Sequence, residues 1–344
     1  MDTIDIPLLQ LRNAGLAAAA GRIPTPAARR RDTLITGAKA GAAALGSGAG
    51  VGAATWAGYN YLQSQAQQAR TVIGRPRGRP PRADGVYSPA ETEGDLLPPE
   101  RFGASDLSLM VFGDSTAAGL GCAVPDEVPG VLLARGLADE TGRRVRLSTK
   151  AIVGATSRGL ASQVDATFIA DPPPDAAVIL VGANDVTTAQ APYKAAARLG
   201  DAVQRLHDGG AAVVVGTCPD LGVITAIPQP LRTVTRRWGL RLAYLQASAT
   251  RAAGGRPVPL ADLLAPEFLA TPETLLSPDR FHPSAAGYAL AAEQLLPALC
   301  SELGVWHGGP LAELPTVSAA VESRRPVARF RRGLDRLARR TPTR

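Results

Sequence analysis

The chain has 344 residues and a net charge of +7, with 45% hydrophobic but only 4% aromatic residues, so its core must rest on Val, Leu, Ile and Ala, and its length suits one large domain with appendages or two domains. The charge is uneven: residues 1–104 carry 12 basic and 8 acidic side chains, residues 105–303 carry 16 and 19, and residues 304–344 carry 9 and 3. A mildly acidic middle with no basic stripe interleaved with aromatics argues against nucleic acid as a partner, and three cysteines without CxxC spacing imply neither a zinc site nor a disulfide framework, although one pair stays open.

Residues 1–32 form a basic N-terminal segment ending on Arg29-Arg30-Arg31-Asp32. Residues 33–69 follow as an Ala/Gly-rich stretch, uncharged from Ala40 to Ala69. That is long enough for a bilayer core, which needs about 20 residues. The arginines ahead of it fit an uncleaved anchor or a cleaved signal segment, and Arg29-Arg30 resembles a twin-arginine export signal. Trp56, Tyr59 and Tyr61 cluster as an interfacial belt does; a soluble Ala-rich helix is the third reading. The expected location is the cell membrane or an extracytoplasmic space, with the cytoplasm as the alternative. Residues 70–104 are rich in Pro, Gly and Arg, lack an apolar period, and read as an extended linker.

From residue 105 to 303 the texture changes. Short apolar runs at Leu107–Phe112, Val145–Ser148, Ala176–Val181, Ala211–Gly216 and Pro257–Leu260 read as strands. Helical patterns at Val128–Glu140, Ser157–Ala170, Tyr193–His207, Pro230–Ala253 and Ser284–Leu303 separate or follow them. Continuous apolar strands alternating with helices predict α/β architecture: a three-layer αβα body around a roughly five-stranded parallel sheet. Residues 304–344 form a basic tail in which Val327, Phe330, Leu334 and Leu337 make a thin apolar stripe, read either as a solvated segment or as an amphipathic helix on anionic lipid.

In an open parallel sheet, ligands sit beyond the carboxyl ends of the strands. The polar residues at those ends are Asp114 and Ser115 after the first run, Gly154 after the second, Gly182, Asn184 and Asp185 after the third, and Asp279 and His282 ahead of the last helix. Gly113-Asp114-Ser115, Gly154, Gly182-Ala183-Asn184-Asp185 and Asp279-Arg280-Phe281-His282 together resemble the four ordered blocks of the SGNH (GDSL-like) hydrolase family, over about Ser108 to Leu303. Two positions depart from its pattern: Thr116 stands for the Leu of the signature, and Lys150 stands where relatives often carry Asn.

The resemblance implies a flavodoxin-like SGNH fold and a serine esterase. Ser115 is expected as nucleophile, His282 as base and Asp279 as the acid that orients it. The oxyanion hole falls to the Ser115 and Gly154 backbone N–H groups and the Asn184 amide, with Asp114 as a loop support and Asp185 as a cap. The chemistry agrees, because a serine hydroxyl needs a base and only three histidines exist. His207 closes a helix and His307 lies past the folded module. Asp262 is a weaker rival acid, and Cys122 a packing residue rather than a nucleophile. No cofactor or metal is implied. The expected partner is a small or polymeric acyl ester, of a lipid or an acylated carbohydrate, together with a membrane reached through the N-terminal segment and the C-terminal tail. The sequence leaves oligomeric state open. A catalytically silent, membrane-tethered binding or scaffold protein on the same fold is the alternative, while flavodoxin-like nucleotide binding lacks a GxxxxGK-type cradle.

Overall fold

The computed structural model of the protein describes residues 56–74, 78–89, 105–170, 172–309, 311 and 318–328. Six strands form one sheet: β1 (Gly85–Tyr87), β2 (Leu107–Gly113), β3 (Val145–Thr149), β4 (Ala176–Leu180), β5 (Ala212–Gly216) and β6 (Arg256–Val258), in the order β1-β3-β2-β4-β5-β6. From β3 to β6 all neighbours are parallel, with Val111 of β2 opposite Thr149 on one side and Val178 on the other.

The strands are apolar throughout because both faces are covered. On β2, Leu109 and Val111 enter one core cluster while Met110 and Phe112 enter the other. The first cluster is completed by α2 (Pro129–Thr141), α7 (Leu260–Ala270) and α9 (Ala285–Glu302). The second is completed by α3 (Leu160–Ala170) and α5 (Pro192–Asp208). The short helix α4 (Ala183–Thr187) follows β4 directly, the short helix α8 (Pro272–Leu275) packs against α7 and α9, and α6 (Leu231–Ala252) runs along α5. The result is the three-layer αβα body that the alternation of strands and helices predicts.

The sheet has one strand more than expected. β1 lies within residues 70–104, the segment that reads as a linker, and pairs antiparallel with β3, Val86 opposite Arg146. Three residues are too few to show a period of two. Tyr87 anchors the strand: it is buried, its hydroxyl donates to Ala83 O, and the Arg135 guanidinium lies 5.2 Å from its ring centroid.

Residues 56–73 form a helix, α1. Its stripe of Leu62, Gln65, Ala66, Ala69 and Ile73 is buried or half-buried at steps of three and four, so this face packs on the body rather than facing water. The stretch expected to anchor in or be exported across a membrane therefore ends in a docked helix. Its residues 33–55 lie outside the described residues, and among the described residues no helix is long and apolar enough to cross a membrane. Part of the C-terminal tail packs on the body as well: α10 (Ala319–Glu322) lies against α7. Phe330, Leu334 and Leu337 of the expected lipid-facing stripe lie outside the described residues.

Candidate active site

At the carboxyl end of β2 the backbone turns at Gly113, with φ 134°. A Cβ there would stand 1.9 Å from the Leu180 carbonyl oxygen, so the closeness of β2 and β4 demands glycine. Gln163 of α3 grips this residue through both of its backbone polar groups: its Oε1 accepts the Gly113 N–H at 2.8 Å and its Nε2 donates to Gly113 O at 2.8 Å. Asp114 follows, fully buried, its Oδ1 accepting the Thr116 N–H at 2.9 Å. Burial pushes its carboxyl up to about 6, partly offset by hydrogen bonds from Thr116 and the Gly182 N–H.

Ser115 comes next, and its hydroxyl meets His282 Nε2 at 2.9 Å. The histidine is held by the loop between α8 and α9, closed by a bridge between Leu276 and Pro283. Within it the Ser277 N–H donates to His282 O at 2.8 Å, and Arg280 takes a left-handed φ of 57°. The loop thereby folds Asp279 back onto the ring. Asp279 Oδ2 lies 2.6 Å from His282 Nδ1, while Oδ1 accepts from Ser277 Oγ at 2.7 Å, Phe281 N at 2.8 Å and His282 N at 2.9 Å. Burial alone would raise this carboxyl, but the hydrogen bonds from His282, Ser277 and Phe281 outweigh it and hold Asp279 well below the usual carboxylate range. An Asp279 held as the anion favours the His282 tautomer with its proton on Nδ1, in which Nε2 faces the Ser115 hydroxyl as an acceptor.

Two further loops converge on the same end of the sheet. The one after β3 carries Gly154, whose φ of 84° is the left-handed conformation that favours glycine; the place a Cβ would occupy is open. This loop is tied to β2 through the Ile152 N–H donating to Gly113 O at 3.1 Å, and Lys150, at the position that departs from the family pattern, extends the ladder through its N–H to Val111 O at 2.8 Å. The loop after β4 leads into α4 and carries Asn184, whose Nδ2 donates to Ala155 O at 2.9 Å. Asp185, buried, accepts from Ser157 N at 2.9 Å and Ser157 Oγ at 2.7 Å. Expected as a cap of its own helix, it instead holds the turn that opens α3. An amide nitrogen has two hydrogens, and one of those on Asn184 ties its loop to that of Gly154.

The rival candidates stand elsewhere. Asp262 is engaged by the C-terminal segment, its Oδ1 accepting from Ser318 Oγ and from Ala320 N at 3.3 Å. His207 closes α5 just before β5 begins, at the amino end of the sheet and opposite Ser115, and His307 is exposed beyond α9. The Cys122 thiol donates to Glu127 O at 3.1 Å and burial pushes it up to about 12, which disfavours the thiolate. All three cysteines are free. Sequence reasoning missed Gln163 and Ser277; neither carries a local signal, since their roles come from contacts across the fold.

Residues 111–290 match the GDSL-like Lipase/Acylhydrolase family. A protein described as a GDSL-like esterase from Mycobacterium tuberculosis is 56% identical over 274 residues, 80% of this chain and 87% of that protein. Among solved structures, the psychrotrophic esterase EstA from Pseudoalteromonas sp. aligns with TM-score 0.46 and 18% identity over 58% of this chain and 100% of that one. Phospholipase A1 from Streptomyces albidoflavus NA297 aligns with TM-score 0.45 and 17% identity over 58% and 100%. On the family match and the mycobacterial relative, this chain belongs to the GDSL-like lipase/acylhydrolase family.

Proposed function

We propose that the protein is a serine esterase that hydrolyses acyl esters, of lipids or of acylated carbohydrates, through an acyl-enzyme. One observation carries this reading: the unbroken line from Asp279 through His282 to Ser115, with contacts of 2.6 and 2.9 Å. Ser115 Oγ attacks the ester carbonyl as its proton passes to His282 Nε2, forming a tetrahedral oxyanion. The backbone N–H groups of Ser115 and Gly154 and the Asn184 amide are the donors assigned to that oxygen. A single such donor contributes about 3 kcal/mol of transition-state stabilisation. The alkoxide leaves with the proton from Nε2, and the acyl group stays on Ser115. Water then attacks, giving its proton to His282, and collapse of the second oxyanion releases the acid and returns the proton to Ser115.

The description of the mycobacterial relative as an esterase supports the bond type. Export or membrane attachment rests on the three arginines at 29–31 ahead of an uncharged run, and recovery of activity solely in a cytosolic fraction would sink it. The assignment of Ser115 is tested with p-nitrophenyl acetate. Replacing the nucleophile in such sites costs about 10⁴-fold or more in kcat, and Ser115→Ala is expected to show that loss with its circular dichroism unchanged. Turnover like that of the parent protein removes the mechanism.

A further inference from the structure

Helix α1 lies ahead of the residues that match the family, yet it reaches the catalytic loop. It is held at the start of α6 by Gln65, whose Nε2 donates to Gln229 O and whose Oε1 accepts the Leu231 N–H at 2.9 Å. Between α1, α4 and α6 a groove of about 180 Å³ remains open. Its walls include Leu62 and Ala66 of α1, Val186 of α4, Val234 and Trp238 of α6, and Phe281. Trp238 turns carbon towards it, because its indole N–H is already donated to Gln190 O at 2.9 Å.

The inner end of the groove reaches the catalytic loop at Phe281 and the short helix α4 at Val186, while Ser115 and His282 themselves are not among its walls. Phe281 precedes His282 in the chain and meets its ring edge-on, with centroids 5.0 Å apart. Val186 stands on the same short helix as Asn184. A hydrocarbon chain leaving the carbonyl held at Ser115 is the ligand these walls suit. Apolar surface dominates the groove, although Gln63, Arg70, Thr187 and Thr235 also line it, so a sugar placed there would leave hydroxyls unpaired at a cost of about 1–3 kcal/mol for each.

We propose that this groove is the acyl-chain site and that α1 supplies its far wall, so that a helix outside the family-matched residues sets chain-length preference. The proposal rests on the esterase reading above and adds the substrate class: esters of medium-chain fatty acids, favoured over acetyl esters. Each methylene moved from water into an apolar site is worth about fourfold in affinity. Obstructing the groove by two methylenes is therefore worth roughly fifteenfold.

The test compares kcat/KM for p-nitrophenyl octanoate and p-nitrophenyl acetate in the full chain and in Ala66→Trp and Val234→Trp, which fill the groove from opposite walls. The parent protein is expected to favour octanoate, and the octanoate-to-acetate ratio is expected to fall about tenfold or more in each variant. A ratio that stays the same in both variants overturns the proposal. If both variants are inactive, competitive inhibition of acetate-ester turnover in the parent protein by free fatty acids decides: inhibition that strengthens from acetate to decanoate supports the site, and inhibition independent of length overturns it. Loss of turnover in Ser115→Ala together with an unresponsive ratio refutes the groove while leaving the esterase standing; turnover that survives Ser115→Ala refutes the esterase first.

Discussion

Asp114 and Asp279 flank the Ser115–His282 pair, and their surroundings push them in opposite directions. Asp279 is stabilised as an anion by several donors, so its contribution to stability is present above the ordinary carboxylate range and fades as pH falls below it. Asp114 is the reverse case. Burial raises it to about 6, so between pH about 4 and 6 the folded protein holds a proton that the unfolded chain has released, and stability falls as pH climbs through that window. A displacement of about two pH units corresponds to roughly 3 kcal/mol. Asp114→Asn is therefore expected to gain on the parent protein by about 2–3 kcal/mol between pH 4 and pH 7, measured by urea unfolding at both pH values. A constant difference between the two proteins would show that Asp114 titrates normally. The identities of Ser115, His282 and Asp279 were readable because strand ends and a single suitably placed histidine confine the choice. Gln163 and Ser277 were not, because a glutamine on a helix 50 positions from Gly113 becomes a clamp only once β2 and α3 are packed.

Among the elements, α4 and the turn opening α3 are coupled through Asp185 and Ser157, and that coupling aligns the loops of Asn184 and Gly154. Removing the carboxylate leaves the buried Ser157 N–H and hydroxyl without their acceptor, at a cost of about 2–3 kcal/mol. Asp185→Ala is expected to lower kcat about tenfold or more with little change in KM, because the misaligned donors serve the transition state more than substrate binding. Asp185→Asn keeps one acceptor and is expected to recover part of the loss; equal loss in both variants would assign Asp185 to stability alone. The strands and long helices of the body were legible from apolar runs and their spacing, since burial on both faces imposes continuous Val, Leu and Ile. β1 and α1 were not. β1 is three residues stabilised by one tyrosine, and α1 is so rich in Ala and Gln that its docking stripe merges with the uncharged run before it.

Across the whole molecule, the segment after residue 317 completes the body. The Asp220 side chain is fully buried and meets Arg236 Nε at 3.1 Å and Arg324 Nη2 at 3.3 Å, while the Arg236 Nη2 also donates to Ala320 O at 2.8 Å. Removing one partner of a buried ionic cluster costs about 3–5 kcal/mol. Asp220→Ala is expected to lower the melting temperature by roughly 5–10 °C, and a shift of less than a degree would show that the two guanidinium groups are hydrated instead. No local pattern reveals a contact between positions 104 apart, which is why this part of the basic tail reads from sequence as a solvated or lipid-facing appendage. The arrangement also orders events at the ribosome. A nascent chain that has already released β2 to β6 still lacks one of the two arginine partners of the carboxylate at 220, so this part of the body closes only after position 324 has emerged.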